Sequence, residues 1–81
     1  MKYPKLWKKE ENILTRIFIF NNFIESVKFV DKLVPLAENL NHHPDIEIFS
    51  YKYVKVKLST HKTGNITKKD IELAGKINNI T

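Results

Sequence analysis

The stretch from Tyr51 to His61, YKYVKVKLSTH, decides the fold of this chain. Apolar and polar residues alternate along it, which is typical of a β-strand with one buried face. We expect the buried face to hold Val54, Val56, Leu58 and Thr60, and the other face to hold Tyr51, Tyr53, Lys55, Lys57, Ser59 and His61. The rest of the chain must therefore supply a layer that covers the apolar face.

A turn and a helix are predicted after this strand. Gly64 and Asn65 favour the turn, since both tolerate positive φ. Thr67 and Asp70 have the spacing of a capping box, which starts a helix. The inward residues of that helix are expected to be Leu73, Ala74, Ile77 and Ile80.

A longer helix is predicted before the strand, from the capping residues Asn21 and Asn22 to Asn41. Pro35 lies inside it and predicts a kink or a break. Between this helix and the strand, Ile46 to Phe49 forms a short strand or a bulge. The helical spacing predicts an inward face of Phe23, Val27, Val30, Val34 and Ala37, widened by Leu33, Leu36 and Leu40.

Two further strands, Trp7 to Glu11 and Leu14 to Phe20, form a hairpin around Asn12. The order of elements is then β-β-α-β-β-α, which predicts an α+β fold with a four-stranded antiparallel sheet and its helices packed on one face. With 81 residues, the chain is expected to form one domain over residues 1–81.

The composition excludes several classes of function for this chain. The chain has no cysteine, which excludes disulfides and zinc–thiolate sites, and its longest apolar run, Ile17 to Phe20, is far too short to span a membrane. The net charge of +5 comes from 14 Lys and Arg against 9 acidic residues, but Arg16 is the one arginine. Since arginine suits bidentate phosphate and base contacts, no specific nucleic-acid partner is expected. We expect a cytoplasmic protein without a membrane partner.

The chemistry concentrates between Glu38 and Asp70, where all 3 histidines lie. A histidine with its ordinary pKa of about 6.5 can give and take a proton near neutral pH, so His42, His43 and His61 predict a proton-transfer site. Pro44 favours extended backbone at His43, so the two adjacent imidazoles should point apart. That divergence argues against a shared zinc site, and we expect neither metal nor cofactor.

Each of these residues also has a purely structural interpretation. A single histidine is more often an ordinary surface or core residue than a catalytic one. Glu38 can orient an imidazole or bind substrate, but it can equally be a solvated helix charge. Asp70 is explained by the capping box alone, because it satisfies backbone donors there.

The segment AENLNHHPDIEIFSYKYVKVKLSTHKTGNITKKDIELA resembles the signature of the pterin-4a-carbinolamine dehydratase family, and the resemblance extends through RIFIFNNF and Trp7. It implies dehydration of a 4a-hydroxytetrahydropterin to quinonoid dihydropterin, a step in tetrahydrobiopterin recycling. By this resemblance, His42 and His61 match the general acid and base, and His43 matches a histidine that chiefly binds substrate. The substrate-binding positions are Glu38, Pro44, Thr60, Lys62, Thr63 and Asp70.

The chain departs from the family pattern in three ways, and each departure leads to an expectation about the structure or the site. Ile46 replaces an aromatic residue common in relatives, so stacking on the pterin is weaker or comes from Phe49. The spacing from Pro44 to Tyr51 is one residue longer than in some relatives, which predicts a bulge near the site. The N-terminal helix of longer members is expected to be absent. The family also implies a homo-oligomer, a tetramer or a dimer, built through a sheet edge or the long helix.

Two other functions stay open at this stage. Tyr51, Tyr53, Lys55 and Lys57 on one sheet face are similar to surfaces that stack bases, which would suit a non-catalytic binding module. A family member can also act on another pterin, such as one in molybdenum-cofactor metabolism. Animal members assist a homeodomain transcription factor, and nothing in this chain predicts that partner.

Overall fold

The computed structural model describes residues 2–81. All four strands lie in one antiparallel sheet, in the spatial order Lys8–Glu10, Ile13–Ile19, Tyr53–Leu58 and Asp45–Phe49. Both helices contribute to the single hydrophobic core that covers one face of this sheet. The elements are β1 (Lys8–Glu10), β2 (Ile13–Ile19), α1 (Phe23–Leu40), β3 (Asp45–Phe49), β4 (Tyr53–Leu58) and α2 (Lys68–Asn79). The predicted α+β fold is confirmed, and no helix precedes β1 within the described residues.

Strand β4 is a central strand, because it pairs with β2 on one side and β3 on the other. Val54, Val56 and Leu58 have no exposed surface, whereas the residues between them are half-buried on the opposite face. The alternation in the sequence therefore identified the correct buried face, although the strand is shorter than the predicted Tyr51 to His61.

The predicted inward face of α1 was wrong in part. The buried residues are Ser26, Phe29, Leu33 and Ala37. Phe23, Val27 and Val34, which we name the α1 stripe, are instead exposed by 55%, 38% and 55%. Apolar residues occupy both sides of this helix, so helical periodicity alone could not decide which side faces the sheet. Of the kink or break predicted at Pro35, the break was wrong, because α1 runs through that residue without interruption.

The hairpin between β3 and β4 has a regular register, with five residue pairs from Asp45–Lys57 to Phe49–Tyr53. The bulge predicted near the site is therefore absent from these strands. The residues that join the two strands lie at the other end of the hairpin, where Ser50 and Tyr51 adopt left-handed φ values of 47° and 53°. The hydroxyl of buried Ser26 lies 2.9 Å from the Tyr51 carbonyl oxygen and holds this turn against α1.

The N-terminal segment is fixed to the end of α2 by Asn78. The side-chain oxygen of Asn78 accepts hydrogen bonds from Trp7 Nε1 at 2.8 Å and from the Arg16 guanidinium at 2.5 Å. Arg16 also lies over the Phe18 ring, and its partial burial lowers the pKa of the guanidinium. Across residues 2–81, none of the helices combines the length and the apolar character needed to cross a membrane.

Candidate functional site

An open cavity of about 320 Å³ lies where the end of α1, the segment before β3 and the loop after β4 meet. This volume is at the lower end of the range of small-molecule sites. Its lining contains all three histidines of the chain and two lysines. The lining residues are Asn41, His42, His43, Thr60, His61, Lys62 and Lys69.

The end of α1 positions His42. Asn41 has the left-handed φ of 48° that commonly ends a helix. Its N–H donates to the Glu38 carbonyl at 3.1 Å, and the N–H of His42 donates to the Ala37 carbonyl at 3.0 Å. These two bonds form a Schellman motif, which fixes where the backbone leaves the helix. The imidazole of His42 is consequently tucked under the cavity, with the residue only 9% exposed.

Asp70 holds the imidazole of His42. The Nε2 atom of His42 lies 2.5 Å from Oδ1 of Asp70, whose side chain is fully buried in the first turn of α2. A carboxylate only accepts hydrogen bonds, so Nε2 of His42 must carry the proton in this contact. The second nitrogen, Nδ1, makes no hydrogen bond to residues 2–81 and is left to exchange a proton with a molecule in the cavity.

The other oxygen of Asp70 is held by two threonines. Oδ2 accepts a hydrogen bond from the Thr67 N–H at 2.8 Å, which is the return bond of the predicted capping box. It also accepts one from the Thr60 hydroxyl at 2.9 Å. The structural interpretation of Asp70 as a helix cap is therefore correct but incomplete, because the same carboxylate also holds His42.

His43 has a different partner. Its Nε2 atom lies 2.6 Å from Oε2 of Glu38, and both side chains are mostly exposed, at 59% and 66%. The two adjacent histidines thus contact different carboxylates on different helices, as their extended backbone predicted. Glu38 orients His43 rather than His42.

His61 lies in the loop after β4 and is exposed, and its ring makes no hydrogen bond within residues 2–81. Lys62 and Lys69 lie at the same cavity, whose lining contains no carboxylate. The two lysine charges are balanced in part by Asp70 and Glu38, which contact the lining residues His42 and His43 from behind. Lys69 and Asn41 were not predicted from the sequence. Two sequence features could have identified them. Lys69 follows the capping residue Thr67 in the first turn of a helix, and Asn41 is an asparagine at the end of one.

Other predicted site residues lie outside this cavity. Asp70 is buried behind His42, and the Thr63 hydroxyl bonds only to the Thr60 carbonyl and the Asn65 N–H in its own loop. Pro44 and Glu38 line a neighbouring, mostly apolar cleft of about 230 Å³ together with His43. The proposal that Phe49 stacks on the ligand was wrong, because Phe49 stacks on Tyr53 on the uncovered sheet face, with ring centroids 5.2 Å apart.

The donor groups do not converge on one point. Within residues 2–81, no three His, Asp or Glu side chains are placed so that they could bind a metal ion. His42 and His43 each direct Nε2 to a separate carboxylate. The arrangement suits proton transfer by individually oriented imidazoles.

These features define the chain as a small α+β protein with a candidate acid–base cavity. The family model described as pterin 4 alpha carbinolamine dehydratase matches residues 1–80. The chain belongs to this family, and carbinolamine dehydration is the activity associated with it.

Sequence relatives agree with this assignment. One from Sulfolobus acidocaldarius, named "Putative pterin-4-alpha-carbinolamine dehydratase", is 50% identical over 74 residues, which cover 91% of this chain and 80% of the relative. A relative of the same name from Picosynechococcus sp. is 53% identical over 91% of this chain and 78% of its own.

Solved structures agree on the fold. A Brucella melitensis protein described as a transcriptional coactivator/pterin dehydratase superimposes with a TM-score of 0.85 at 35% identity, covering 94% of this chain and 82% of that one. A pterin dehydratase-like protein described as a RuBisCO assembly factor in the alpha-carboxysome shares the fold, with a TM-score of 0.70 at 21% identity over 91% of this chain and 84% of its own.

Proposed function

We propose that this chain dehydrates a 4a-hydroxytetrahydropterin to a quinonoid dihydropterin and water, as part of tetrahydropterin recycling. The observation that carries the proposal is the pairing of His42 with buried Asp70 at the floor of a cavity that His61 also lines. Membership of the family supports the substrate class.

The reaction requires two proton transfers. A ring nitrogen next to the hydroxyl-bearing carbon gives up its proton, and the carbon–nitrogen double bond forms. The carbon–oxygen bond breaks with its electron pair on oxygen, and the hydroxyl takes up a proton to leave as water. One proton is lost from the substrate and one is gained, so an acid and a base complete the cycle without net consumption.

His42 and His61 are proposed as this acid–base pair. Asp70 holds His42 with Nδ1 directed away from the carboxylate, so this ring can accept a proton and form an imidazolium ion next to the Asp70 charge. His61 is exposed to solvent, through which it can recover its protonation state between turnovers. General acid–base catalysis of this kind contributes roughly 10²- to 10⁴-fold.

His43 is proposed to bind the substrate. Glu38 fixes its Nε2 atom, and the ring stands between the polar cavity and the neighbouring apolar cleft. In that position it can contact the pterin ring without taking part in proton transfer. Lys62 is proposed as a further polar contact at the cavity, and Pro44 as part of the wall of the apolar cleft.

The direct test is dehydration of a chemically generated 4a-hydroxytetrahydropterin, followed by absorbance of the quinonoid product. We expect acceleration over the buffer rate by the wild-type chain. A His42→Ala/His61→Ala double variant that remains folded should return the rate to that of buffer. An equal rate for the wild type and the double variant would contradict the proposal.

A non-catalytic binding module with a protein or nucleic-acid partner is the second candidate, and the α1 stripe is the observation that favours a protein partner. A dimer or tetramer of this chain, which we also propose, would use the same stripe and is compatible with either candidate. The uncovered sheet face favours a nucleic-acid partner less, because Lys55 and Lys57 lie directly opposite Glu47 and Asp45. Action on another pterin stays an alternative that the same assay, run with other carbinolamines, would detect.

A further inference from the structure

Thr60 makes contacts that a substrate-binding threonine does not need. Its hydroxyl lies 2.6 Å from the Thr67 hydroxyl and 2.9 Å from Oδ2 of Asp70. A hydroxyl has a single proton to donate. If Thr60 donates to the carboxylate, Thr67 donates to Thr60, and the three groups form a directed chain that ends on Asp70.

These donors fix the orientation of the Asp70 carboxylate. One oxygen, Oδ2, receives the Thr60 hydroxyl and the Thr67 N–H, with the Thr67 hydroxyl further away at 3.4 Å, and the other oxygen faces Nε2 of His42. Turning the plane of the carboxylate away from this position would weaken the donations to Oδ2 and the contact with His42 together. In a buried site such a loss is costly, because no water replaces the missing donors.

The backbone of Thr60 holds the other proposed proton-transfer residue. Its N–H donates to the Asn65 carbonyl at 2.9 Å, and its carbonyl accepts from the Gly64 N–H at 2.8 Å. These bonds close the loop that carries His61, the next residue in the chain. Thr60 is thus bonded through its side chain to the carboxylate behind His42 and through its backbone to the loop of His61.

We propose that Thr60 is a positioning residue, which holds the Asp70 carboxylate in its contact with Nε2 of His42 and sets the placement of His42 relative to His61. This inference rests on the proposed function for its catalytic consequence, whereas the strength of the contact between His42 and Asp70 does not depend on any activity. It replaces the expectation that the Thr60 side chain binds substrate.

The test compares Thr60→Val with Thr60→Ser. Valine keeps the branched shape but lacks the hydroxyl, and serine restores the hydroxyl. We expect Thr60→Val to lower kcat on the order of 10-fold with KM unchanged, which is typical of losing a hydrogen-bond partner behind a functional histidine. Thr60→Ser should recover most of that loss.

The contact between His42 and Asp70 is read independently by NMR of the histidine rings. In the wild type, the Nε2–H proton of His42 should exchange slowly with solvent, and in Thr60→Val it should exchange faster, because the carboxylate that accepts it is held less firmly. Thr15→Val is the matched control, because Thr15 is a buried threonine of β2 whose hydroxyl makes no hydrogen bond within residues 2–81. It should leave both the exchange of this proton and kcat unchanged.

The outcomes separate the two proposals. A Thr60→Val protein with unchanged Nε2–H exchange and unchanged kcat overturns the positioning role, and a raised KM with unchanged exchange returns Thr60 to substrate binding. A wild type that is inactive but shows the expected faster exchange in Thr60→Val overturns only the proposed function. If Thr60→Val does not fold, side-chain coupling constants of the wild type decide. A single Thr60 rotamer supports the role, and rotamer averaging refutes it.

Discussion

The side chains of His42 and Asp70, which are 28 positions apart in the chain, meet with 2.5 Å between Nε2 and Oδ1. Asp70 is also the residue that accepts the Thr67 N–H at the start of α2. One carboxylate therefore has two structural roles. It caps the start of α2, and it orients the imidazole of His42. The orientation of the proposed catalytic group depends on the first turn of α2.

Asp70→Asn should separate the capping of α2 from the orientation of His42. The asparagine oxygen can still accept the Thr67 N–H, but its NH₂ group would face His42 and favour the opposite tautomer. We expect kcat to fall by roughly 10²-fold or more, with a much smaller change in melting temperature. Asp31→Asn, an exposed carboxylate on α1, is the control and should change neither. Similar kcat values for the two variants would show that Asp70 serves only as a cap.

His61→Ala and His43→Ala should change different kinetic parameters. Loss of His61 removes a group that acts in the transition state, so kcat should fall with little change in KM. Loss of His43 removes binding, so KM should rise while kcat is kept. Steady-state kinetics of both variants provide the measurement. Glu38→Gln should resemble a mild His43→Ala, because Glu38 holds that ring. Small, equal effects from all three would mean that the cluster is structural.

Chelation should have no effect on turnover. The imidazoles face separate carboxylates, and within residues 2–81 no three ligand side chains are grouped for a metal. We expect the dehydration rate to be the same before and after dialysis against EDTA. Loss of activity on dialysis, with recovery on addition of zinc, would contradict the acid–base mechanism.

The protein should be an oligomer at micromolar concentration, with a mass of at least two chains by light scattering. The α1 stripe leaves apolar side chains in water, and burying it against another copy would remove that cost. Val27→Lys should shift the mass toward that of one chain. Asn39→Lys adds the same charge at an exposed polar position of the same helix and should not. A wild-type protein that stays monomeric would refute the assembly proposal alone.

Nucleic-acid binding should be weak and without sequence preference. The positive charge is almost entirely lysine, and two lysines of β4 face acidic partners across the strands. Any affinity should come from counterion release and fall steeply as salt is added. Fluorescence anisotropy with single-stranded RNA, at low and physiological salt, measures this. Tight binding to one defined sequence at physiological salt would favour the binding-module function instead.

The sequence was sufficient for the architecture because its strongest signal lies in the centre of the sheet. The alternation from Val54 to Leu58 is compatible with only one buried face. The spacing of Thr67 and Asp70 correctly predicted where α2 begins. The sequence did not determine in the same way which side of α1 faces the sheet. Its two apolar sides compete, and the choice between them depends on contacts such as that of Ser26 with Tyr51.

The site was predicted as a group of residues but not as a set of contacts. Histidine clustering identified His42, His43 and His61, and all three line one cavity. The contact of His42 with Asp70 was hidden, because the capping box already accounted for that carboxylate. The contact of Thr60 with Asp70 was hidden as well, since nothing in a single sequence distinguishes a hydroxyl that faces a ligand from one that faces a buried carboxylate.

The turn at Ser50 and Tyr51 has a consequence for the order of folding. Two consecutive non-glycine residues in the left-handed region cost on the order of 1–3 kcal/mol each, and the Ser26 hydroxyl that offsets this cost belongs to α1. The β3–β4 hairpin is therefore a poor first nucleus. During synthesis, however, α1 leaves the ribosome before the hairpin does. Ser26 has therefore already been synthesised when Tyr51 emerges, and its hydroxyl is available to the turn as the hairpin forms.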